Sequence, residues 1–386
     1  MDGLERALAV VHRLWTNGDR GRIVSKEKAR LTHTPSEIQS AIQGSMTMNT
    51  KRLRETAQAM VAPGKGILAA DESAPTIKKR LESIGVESTE EARRSYRELL
   101  LTTPGLADHI SGVILFDETL RQCTTDGTPF VDVLTRQGIL PGIKVDTGAR
   151  DLAGFPNEKV TEGLDGLRER LAEYRELGAC FAKWRGVIAI GKGLPTDYCV
   201  VANAHALARY AALSQEEGIV PIVEPEVLMD GDHDIDLCEQ VTSRVLRKTF
   251  EQLAEHRVLL EGVILKPNMV LPGTKSTTPA TVAEIAEITL RCLRNTVPSA
   301  VPGICFLSGG QSAEEATINL NAMNTMDRHP WELSFSYGRA LQAPVLKAWG
   351  GSAKKAVAAQ HALMVRARYN GAARDGKYSA GMEPAA

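Results

Sequence analysis

The chain has 386 residues, and its 46 Lys and Arg side chains nearly balance its 47 Asp and Glu side chains. The resulting net charge of −1 argues against a nucleic-acid-binding protein, which normally carries a marked positive excess. No apolar run approaches the roughly 18 residues that suggest a membrane-spanning helix, so we predict neither nucleic acid nor a membrane as a partner.

The N-terminal segment differs in pattern from the remainder. Its apolar residues recur at helical spacing and are Leu4, Leu8, Val11 and Trp15. A signal peptide would need a longer apolar core, and a transit peptide would carry fewer acids. We therefore predict a helical or loosely ordered extension over residues 1–48, followed by a single barrel domain with a C-terminal tail over residues 49–386. Met46 or Met48 could begin a shorter chain.

Short apolar runs, most of them led by glycine, recur along the rest of the chain at intervals of roughly 30 to 45 residues. They read GILAAD (66–71), GVILF (112–116), GIKVD (142–146), FAKWR (181–185), PIVEPEV (221–227), GVILKPN (262–268), GICFLSGG (303–310) and ELSFSYG (332–338). Helical patterns lie between them, for example over residues 161–178 and 282–296. Near-continuous apolar strands alternating with amphipathic helices indicate a parallel sheet covered by helices. Eight such repeats predict a closed (β/α)8 TIM barrel.

An open doubly wound sheet is the alternative to a barrel. Its first strand would normally lead into a Gly-rich nucleotide-binding turn. The nearest candidate, IGKGLP (190–195), has no third glycine and follows the fourth strand. We therefore favour the barrel.

Charged residues stand toward the C-terminal ends of five predicted strands. They are Asp71, Lys144 and Asp146, Lys183 and Arg185, Glu224 and Glu226, and Lys266. Side chains alternate between the faces of a strand, so the two charges of each pair share a face. A lone charge at a strand end is most simply half of a structural ion pair. So many charges inside one barrel fit only its C-terminal mouth, where this fold carries its chemistry.

Lys266 follows an apolar strand and precedes a proline, an unusual place for an ammonium group. Partial desolvation and a second cation nearby, such as Lys183, both depress the pKa of a lysine and make it a better nucleophile. Lysine in such a site is the residue type that forms Schiff bases with carbonyl substrates. A carboxylate in reach, such as Glu224, can move the protons of that reaction.

The last two strands lead into loops rich in serine and glycine, directly before helical patterns. FLSGGQS supplies Ser308 and Gly309, and FSYGR supplies Ser336, Gly338 and Arg339. Glycines let backbone N–H groups approach an anion, and a helix N-terminus favours negative charge. Loops after strands seven and eight are the recurrent phosphate site of these barrels.

A second cluster of anion-binding residue types follows the first strand. The segment DESAPTIKKR supplies Ser73, Thr76 and Arg80. Two phosphate sites across one barrel mouth suit a bisphosphate, so we predict a small phosphorylated substrate.

From about residue 50 to about residue 380, the chain resembles class I fructose-bisphosphate aldolases. The motifs GKGILAADES, GIKVD, FAKWR, IVEPE, LLEGVILKPNMV, FLSGGQS and FSYGRALQ match those of the family in the family's order. The resemblance implies reversible cleavage of fructose 1,6-bisphosphate to dihydroxyacetone phosphate and glyceraldehyde 3-phosphate through a lysine Schiff base. It also implies that neither a metal nor another cofactor takes part, and it suggests a homotetramer.

The resemblance further implies a role for each matching residue. Lys266 would form the Schiff base with the C2 carbonyl, and Glu224, supported by Glu226, would be the main acid/base group. Asp71 would act on the C4 hydroxyl as the C3–C4 bond breaks, with electrostatic help from Lys183. The C1 phosphate would be held by Ser308, Gly309, Ser336, Gly338 and Arg339. The residues toward the other phosphate would be Lys144, Arg185, Ser73, Thr76 and Arg80.

The chain departs from the family pattern at both ends. The extension before Met46 has no counterpart, and the terminal tyrosine that aids proton transfer in animal and plant members is replaced by the ending YSAGMEPAA, which looks more like bacterial members. We interpret Tyr378, the only tyrosine of this tail, as an anchor on the barrel surface. Glu224, or a water that it holds, would then carry the proton.

Three alternatives to this function remain. A metal-dependent aldolase would need histidine ligands, but the one histidine amid acids lies in DGDHDID (230–236), which we interpret as a solvated loop. A non-catalytic scaffold of this fold would be expected to lack some of Lys266, Glu224 or Asp71. A Schiff-base aldolase for another sugar phosphate is the alternative within the enzyme class.

The cysteines indicate the compartment. They are Cys123, Cys180, Cys199, Cys238, Cys292 and Cys305. None forms a C-x-x-C pair or has histidines at the spacing of a zinc site. Scattered cysteines in a chain of this size are typical of reduced thiols, so we predict a cytoplasmic protein.

Overall fold

Eight parallel strands close into a barrel. The structure, a computed structural model, describes residues 49–326 and 328–383. In chain order, the strands are β1 (Gly66–Ala70), β2 (Ile110–Leu115), β3 (Leu140–Lys144), β4 (Gly148–Asp151), β5 (Lys159–Glu162), β6 (Phe181–Ile188), β7 (Val220–Val227), β8 (Ile264–Leu265), β9 (Gly303–Phe306) and β10 (Glu332–Tyr337). Around the barrel the order is β1-β10-β9-β8-β7-β6-β3-β2. The predicted (β/α)8 barrel is confirmed, and the open sheet is excluded.

Helices follow the barrel strands and cover them. They are α1 (49–60), α2 (Ala74–Glu82), α3 (Glu90–Leu101), α4 (Asp117–Leu120), α5 (Phe130–Arg136), α6 (Leu167–Glu176), α7 (Asp197–Glu216), α8 (Ile235–Glu255), α9 (Val282–Arg294), α10 (Ala313–Asn324), α11 (Arg339–Trp349) and α12 (Ala356–Arg374). The helical pattern predicted over 161–178 becomes helix only at Leu167, because the segment before it is β5 and a turn. Within the described part of the chain, no helix is long and apolar enough to cross a membrane.

The strands β4 and β5 form an antiparallel hairpin between β3 and β6, outside the barrel. Sequence analysis missed this hairpin because its residues are mostly exposed and form no apolar run. Arg170 of α6 holds it in place, since its guanidinium donates to the carbonyl of Val145 at 2.8 Å and to the carbonyl of Gly163. The hairpin therefore forms one wall of the barrel mouth.

The lower part of the barrel interior is apolar. Phe181 of β6, Ile222 of β7 and Ile264 of β8 point inward and share one buried cluster. A Cβ atom on Gly142 would lie only 2.2 Å from the Phe181 ring, so this neighbouring strand needs glycine there. Two residues further along the same three strands stand Lys183, Glu224 and Lys266. Because side chains two residues apart on a strand share a face, these charged side chains also point into the barrel, one layer above the apolar cluster.

The helix α1 closes the N-terminal end of the barrel. Its Leu53, Ala57 and Met60 are buried in the same cluster as the inward-facing residues of the strands. The carbonyl of Met60 accepts a hydrogen bond from the hydroxyl of Ser111 on β2 at 2.5 Å. The apolar side chains of α1 therefore pack against the base of the barrel interior. The predicted extension over 1–48 lies outside the described residues, so the proposed domain division stays a prediction.

Candidate active site

A cavity of about 770 Å³ occupies the C-terminal mouth of the barrel. Every residue that sequence analysis named as a candidate lines it: Asp71, Ser73, Thr76, Arg80, Lys144, Lys183, Arg185, Glu224, Glu226, Lys266, Ser308, Gly309, Ser336, Gly338 and Arg339. The closed barrel brings together side chains that lie far apart in the sequence. Their individual roles remain proposals.

A chain of ion pairs crosses the floor of the cavity. Nζ of Lys266 lies 3.1 Å from Oε1 of Glu224, and the other carboxylate oxygen of Glu224 lies 3.2 Å from Nζ of Lys183. Lys183 in turn contacts Oδ2 of Asp71 at 2.6 Å. Two cations and two anions thus alternate, and the four-residue cluster is neutral. Lys266 and Glu224 are 4% and 3% exposed, so a water-poor environment surrounds the reactive amine.

The cluster shifts the pKa values of its members. Burial disfavours ionisation of Asp71, but the charges of Lys183 and Lys266 outweigh it and hold the pKa of this carboxyl well below its usual range. In Glu224, burial is likewise outweighed by Lys183, Lys266 and Arg185, and the pKa is lowered. The pKa of Lys183 is raised, because Asp71 and Glu224 more than offset its desolvation. Both carboxylates are therefore ionised at neutral pH.

Two further ion pairs lie above the floor, on the side of β3 and β6. Nζ of Lys144 contacts Oδ1 of Asp146 at 2.5 Å, and Nε of Arg185 pairs with Oε2 of Glu226. Asp146 also accepts hydrogen bonds from the backbone N–H of Gly148 at 3.1 Å and of Arg185 at 3.3 Å. The carboxylate of Asp146 thus fixes both basic residues of this side relative to the hairpin.

The loop after β9 approaches the cavity through two glycines. Gly310 has a φ of +77°, and a Cβ atom there would lie 2.7 Å from Cβ of Met229. Only glycine adopts this turn without strain. A Cβ atom on Gly309 would lie 3.3 Å from Oε1 of Glu226, so the backbone of this loop sits directly over the charged strand ends. The turn leaves Ser308 at the cavity wall.

The end of β10 and the loop after it present donors without partners in the described part of the chain. The hydroxyl of Ser336 is buried and has no hydrogen-bond partner in the described part of the chain. Arg339, the first residue of α11, is exposed and forms no ion pair with a described residue. No side chain caps the N-terminus of this helix at Gly338. An anion could satisfy all of these donors together.

Arg80 lies closer to this loop than its sequence position suggests. Its Nη2 atom is 3.8 Å from the position that a Cβ atom on Gly338 would occupy. The contact arises because β1 pairs with β10 when the barrel closes. Sequence analysis grouped Arg80 with the far phosphate, whereas this distance groups it with Ser336 and Arg339.

Several cavity residues were not on the list of candidates from sequence analysis. They include Glu72, Asp146, Arg170 and Tyr174. The motif GIKVD did reveal that Asp146 shares a face with Lys144. Nothing in the sequence singles out Arg170 or Tyr174, because both belong to an ordinary amphipathic helix.

Two residues outside the cavity lining also bear on the sequence interpretation. The hydroxyl of Tyr378 donates to Oε1 of Glu383 at 2.9 Å, and its ring is buried against Tyr369. That placement favours an anchor of the tail, which remains a prediction. The four acids of the DGDHDID segment are exposed, as expected of a solvated loop, but the side chain of His233 is buried.

Comparisons with known proteins show the family of this chain. A family model for fructose-bisphosphate aldolase class-I matches residues 52–386. A probable fructose-bisphosphate aldolase class 1 from Xanthomonas campestris pv. campestris is 59% identical over 336 residues, covering 86% of this chain and 99% of that protein. A fructose-bisphosphate aldolase from Drosophila melanogaster is 56% identical over 331 residues, covering 85% and 91%. The solved structure of fructose-bisphosphate aldolase from Plasmodium falciparum, in complex with TRAP and a small-molecule inhibitor, matches with a TM-score of 0.85 and 52% identity, covering 86% of this chain and 96% of that one.

Proposed function

The chain belongs to the class I fructose-bisphosphate aldolase family, and from that premise we propose that Lys266 is the lysine that forms its Schiff base. Enzymes of this class cleave fructose 1,6-bisphosphate reversibly into dihydroxyacetone phosphate and glyceraldehyde 3-phosphate. The observation that carries the proposal is the position of the Lys266 amine, buried at the cavity floor 3.1 Å from Glu224. The carboxylate of Glu224 also contacts the amine of a second lysine, Lys183.

Glu224 is suited to move the protons of Schiff-base formation. It takes a proton from the Lys266 ammonium, and the neutral amine adds to the C2 carbonyl to give a carbinolamine. Glu224 then returns the proton to the carbinolamine hydroxyl, which leaves as water, and a positively charged iminium remains. The carboxylate has its lowered pKa before the cycle begins, so it starts in the proton-accepting form.

Asp71 is suited to the cleavage step. Its carboxylate accepts the proton of the C4 hydroxyl, the C3–C4 bond breaks, and the electron pair moves toward the iminium to give an enamine. The aldehyde product leaves at this point. Lys183, 2.6 Å from Asp71, keeps this carboxylate ionised until the proton arrives. The proton that Asp71 has taken up passes through water to Glu224, which delivers it, directly or through a water beside it, to C3 of the enamine and so re-forms the iminium. Water then hydrolyses this iminium, which releases dihydroxyacetone phosphate and returns Lys266 to its ammonium form.

The two phosphates would occupy opposite ends of the cavity. The C1 phosphate would accept hydrogen bonds at the loops after β9 and β10, where the Ser336 hydroxyl has no partner in the described residues. Arg339 and Arg80 would supply positive charge there. The C6 phosphate would lie toward Lys144 and Arg185, with Ser73 and Thr76 along the wall between the two ends.

Trapping of the covalent intermediate tests this function. Sodium borohydride added with dihydroxyacetone phosphate should abolish activity irreversibly, and peptide mapping should find one adduct on Lys266. A chelator alone should leave activity unchanged. An adduct on another lysine, or inactivation by the chelator, would overturn the proposed mechanism.

Two further features of the protein are proposed on weaker grounds. A cytoplasmic location is supported by six unpaired cysteines and by relatives described as cytosolic in Arabidopsis thaliana and cytoplasmic in Spinacia oleracea. A homotetramer is supported by the family resemblance alone. Gel filtration with light scattering tests the tetramer, and cell fractionation tests the location.

A further inference from the structure

One buried arginine lies close to the residues that we propose bind the C1 phosphate. Arg97, on α3, is 2% exposed and is not among the residues that line the cavity. Its Nη2 atom lies 2.5 Å from Oε2 of Glu72, and the other carboxylate oxygen of Glu72 accepts a hydrogen bond from Arg80. Glu72 therefore stands between an arginine that faces the cavity and one that does not.

Gln342 fixes the orientation of this carboxylate. Its amide nitrogen donates to Oε1 of Glu72 at 2.8 Å and to the carbonyl of Ala69 at 2.6 Å, and its amide oxygen accepts from the Tyr96 hydroxyl at 3.0 Å. Gln342 belongs to α11, the helix that begins at Arg339. The network therefore connects the helix of the proposed phosphate site with the loop after β1.

The balance of charge in this network matters for an anion. Arg80 and Glu72 alone would form a neutral pair and attract a phosphate weakly. Because Arg97 shares the same carboxylate, the three residues together carry one net positive charge. Arg97 and Glu72 are both buried, so water and salt screen their charges less than those of an exposed pair.

We propose that Arg97 is a positioning residue for phosphate recognition, which offsets the charge of Glu72 and so leaves Arg80 positive toward the cavity. The inference rests on the proposed function, since it requires a phosphate beside Gly338. Arg97 itself touches neither substrate nor reacting atoms. Its Nη1 atom is buried without a hydrogen-bond partner in the described residues. An unsatisfied buried donor costs stability, but Nε of Arg374 is also buried without a partner in the described residues, so the inference rests on the balance of charge at Glu72.

The test compares Arg97→Met with the double variant Glu72→Gln/Arg97→Met in the full-length chain. The single variant leaves Arg80 neutralised by Glu72. We therefore expect the inhibition constant for inorganic phosphate and the KM for fructose 1,6-bisphosphate to rise about tenfold, with a smaller change in kcat. The double variant restores one net positive charge, so both constants should return toward wild-type values. Arg97→Lys keeps the charge and should stay close to wild type.

Arg374→Met is the matched control. Arg374 is also a buried arginine paired with a carboxylate, that of Glu332, but it lies at the N-terminal end of the barrel. Its substitution should lower the melting temperature without changing inhibition by phosphate. If Arg97→Met does not fold, Arg97→Gln gives the same comparison.

The outcomes separate the inference from the function on which it rests. If the double variant binds phosphate as weakly as the single variant, charge balance is not what Arg97 supplies, and the inference is wrong. If Arg80→Ala leaves inhibition by phosphate unchanged, the proposed phosphate site itself is wrong, whatever the Arg97 variants do.

Discussion

The strand ends and the loops of the barrel mouth line one cavity, but their polar groups are partnered in opposite ways. On the strand side, Lys266, Glu224, Lys183 and Asp71 contact one another at no more than 3.2 Å. On the loop side, which here includes the end of β10, the buried hydroxyl of Ser336 has no partner in the described part of the chain. The strand side is thus held together by ion pairs within the protein, although Oε2 of Glu224 also lacks a hydrogen-bond partner in the described part of the chain, whereas the loop side offers its donors to a ligand in the proposed function.

In the proposed function, this difference separates two tasks of the site. Proton transfer needs groups whose charges and positions are set before the substrate arrives, and a neutral, interlocked cluster provides that. Phosphate recognition needs donors that water or an anion can occupy in turn, and the uncapped start of α11 provides those. Removing a strand residue should therefore damage stability and chemistry together, whereas removing a loop residue should mainly weaken binding.

The largest effect should follow loss of the nucleophile. We expect Lys266→Met to lower kcat at least about 10⁴-fold, equivalent to a barrier increase of roughly 5.5 kcal/mol, because no Schiff base can form. The check is a steady-state assay combined with borohydride trapping, which should yield no adduct. Lys248→Met, on the outer helix α8, serves as the control and should keep wild-type activity. Full activity of Lys266→Met would contradict the proposed role.

The second prediction compares a substitution on the strand side with a substitution on the loop side. Glu224→Gln should lower kcat about 10²- to 10³-fold. It should also lower the free energy of unfolding by about 3 kcal/mol, since it leaves two buried lysines without their shared partner. Ser336→Ala should leave stability within about 0.5 kcal/mol but raise KM. Denaturant unfolding measures the stability of both variants, and steady-state kinetics measures their kcat and KM. If Glu224→Gln and Ser336→Ala lost the same stability, the distinction between the strand side and the loop side would be wrong.

The third prediction concerns the two ends of the cavity. Arg339→Ala and Arg80→Ala should each lower kcat/KM roughly 10- to 100-fold for both fructose 1,6-bisphosphate and fructose 1-phosphate, because each loses a charged bond to the shared C1 phosphate. Lys144→Ala should lower kcat/KM for fructose 1,6-bisphosphate only, because fructose 1-phosphate has no C6 phosphate. If Arg80→Ala spared fructose 1-phosphate, Arg80 would belong to the far end, as its position in the sequence first indicated.

The buried carboxylates of the strand side should also make the free energy of unfolding depend on pH. Burial raises the pKa of Asp71 and Glu224, but the neighbouring lysine charges outweigh it, so both pKa values lie below those of the unfolded chain. The unfolded chain therefore takes up protons first, and the stability present above about pH 5 is lost as the pH falls through the lowered values. Asp71→Asn should show a shallower decline of unfolding free energy between about pH 5 and pH 3. The exposed Glu176→Gln is the control and should keep the wild-type slope.

The smallest effect on catalysis should come from the tail. Truncation after Lys377 removes Tyr378 and Glu383, whose contacts lie away from the cavity lining. We expect cleavage to stay within about tenfold, a change below ~1.4 kcal/mol, with a lower melting temperature because Arg366 loses its partner Glu383. A much larger loss, concentrated in tritium exchange from dihydroxyacetone phosphate, would instead make Tyr378 a proton carrier.

Sequence reasoning succeeded where backbone geometry alone decides the outcome. Strand spacing predicted the barrel, and the period of two predicted that Lys183 and Glu224 share the interior. Sequence reasoning failed where the closure of the barrel or the packing of side chains determines which residues meet. Arg80 meets Gly338 only because the first and last strands pair, and Arg97 lies on a helix whose pattern carries no sign of its buried partner. The hairpin of β4 and β5 has no apolar run to reveal it.

The helix that closes the base of the barrel is made before all the strands that it packs against, and the last of those strands emerge long after it. Leu53 and Met60 of α1 are buried together with Ile264 of β8 and Cys305 of β9, roughly 250 residues later in the chain. At about 5 to 20 residues per second, a ribosome needs roughly 10 to 50 s to cover that distance. During that time the apolar face of α1 is only partly covered, because Ile67, Ile114 and Phe181 of the same cluster emerge before β8 and β9. We therefore expect nascent chains to depend on chaperones until β9 emerges, and newly made barrels to be most open to misassembly at their base.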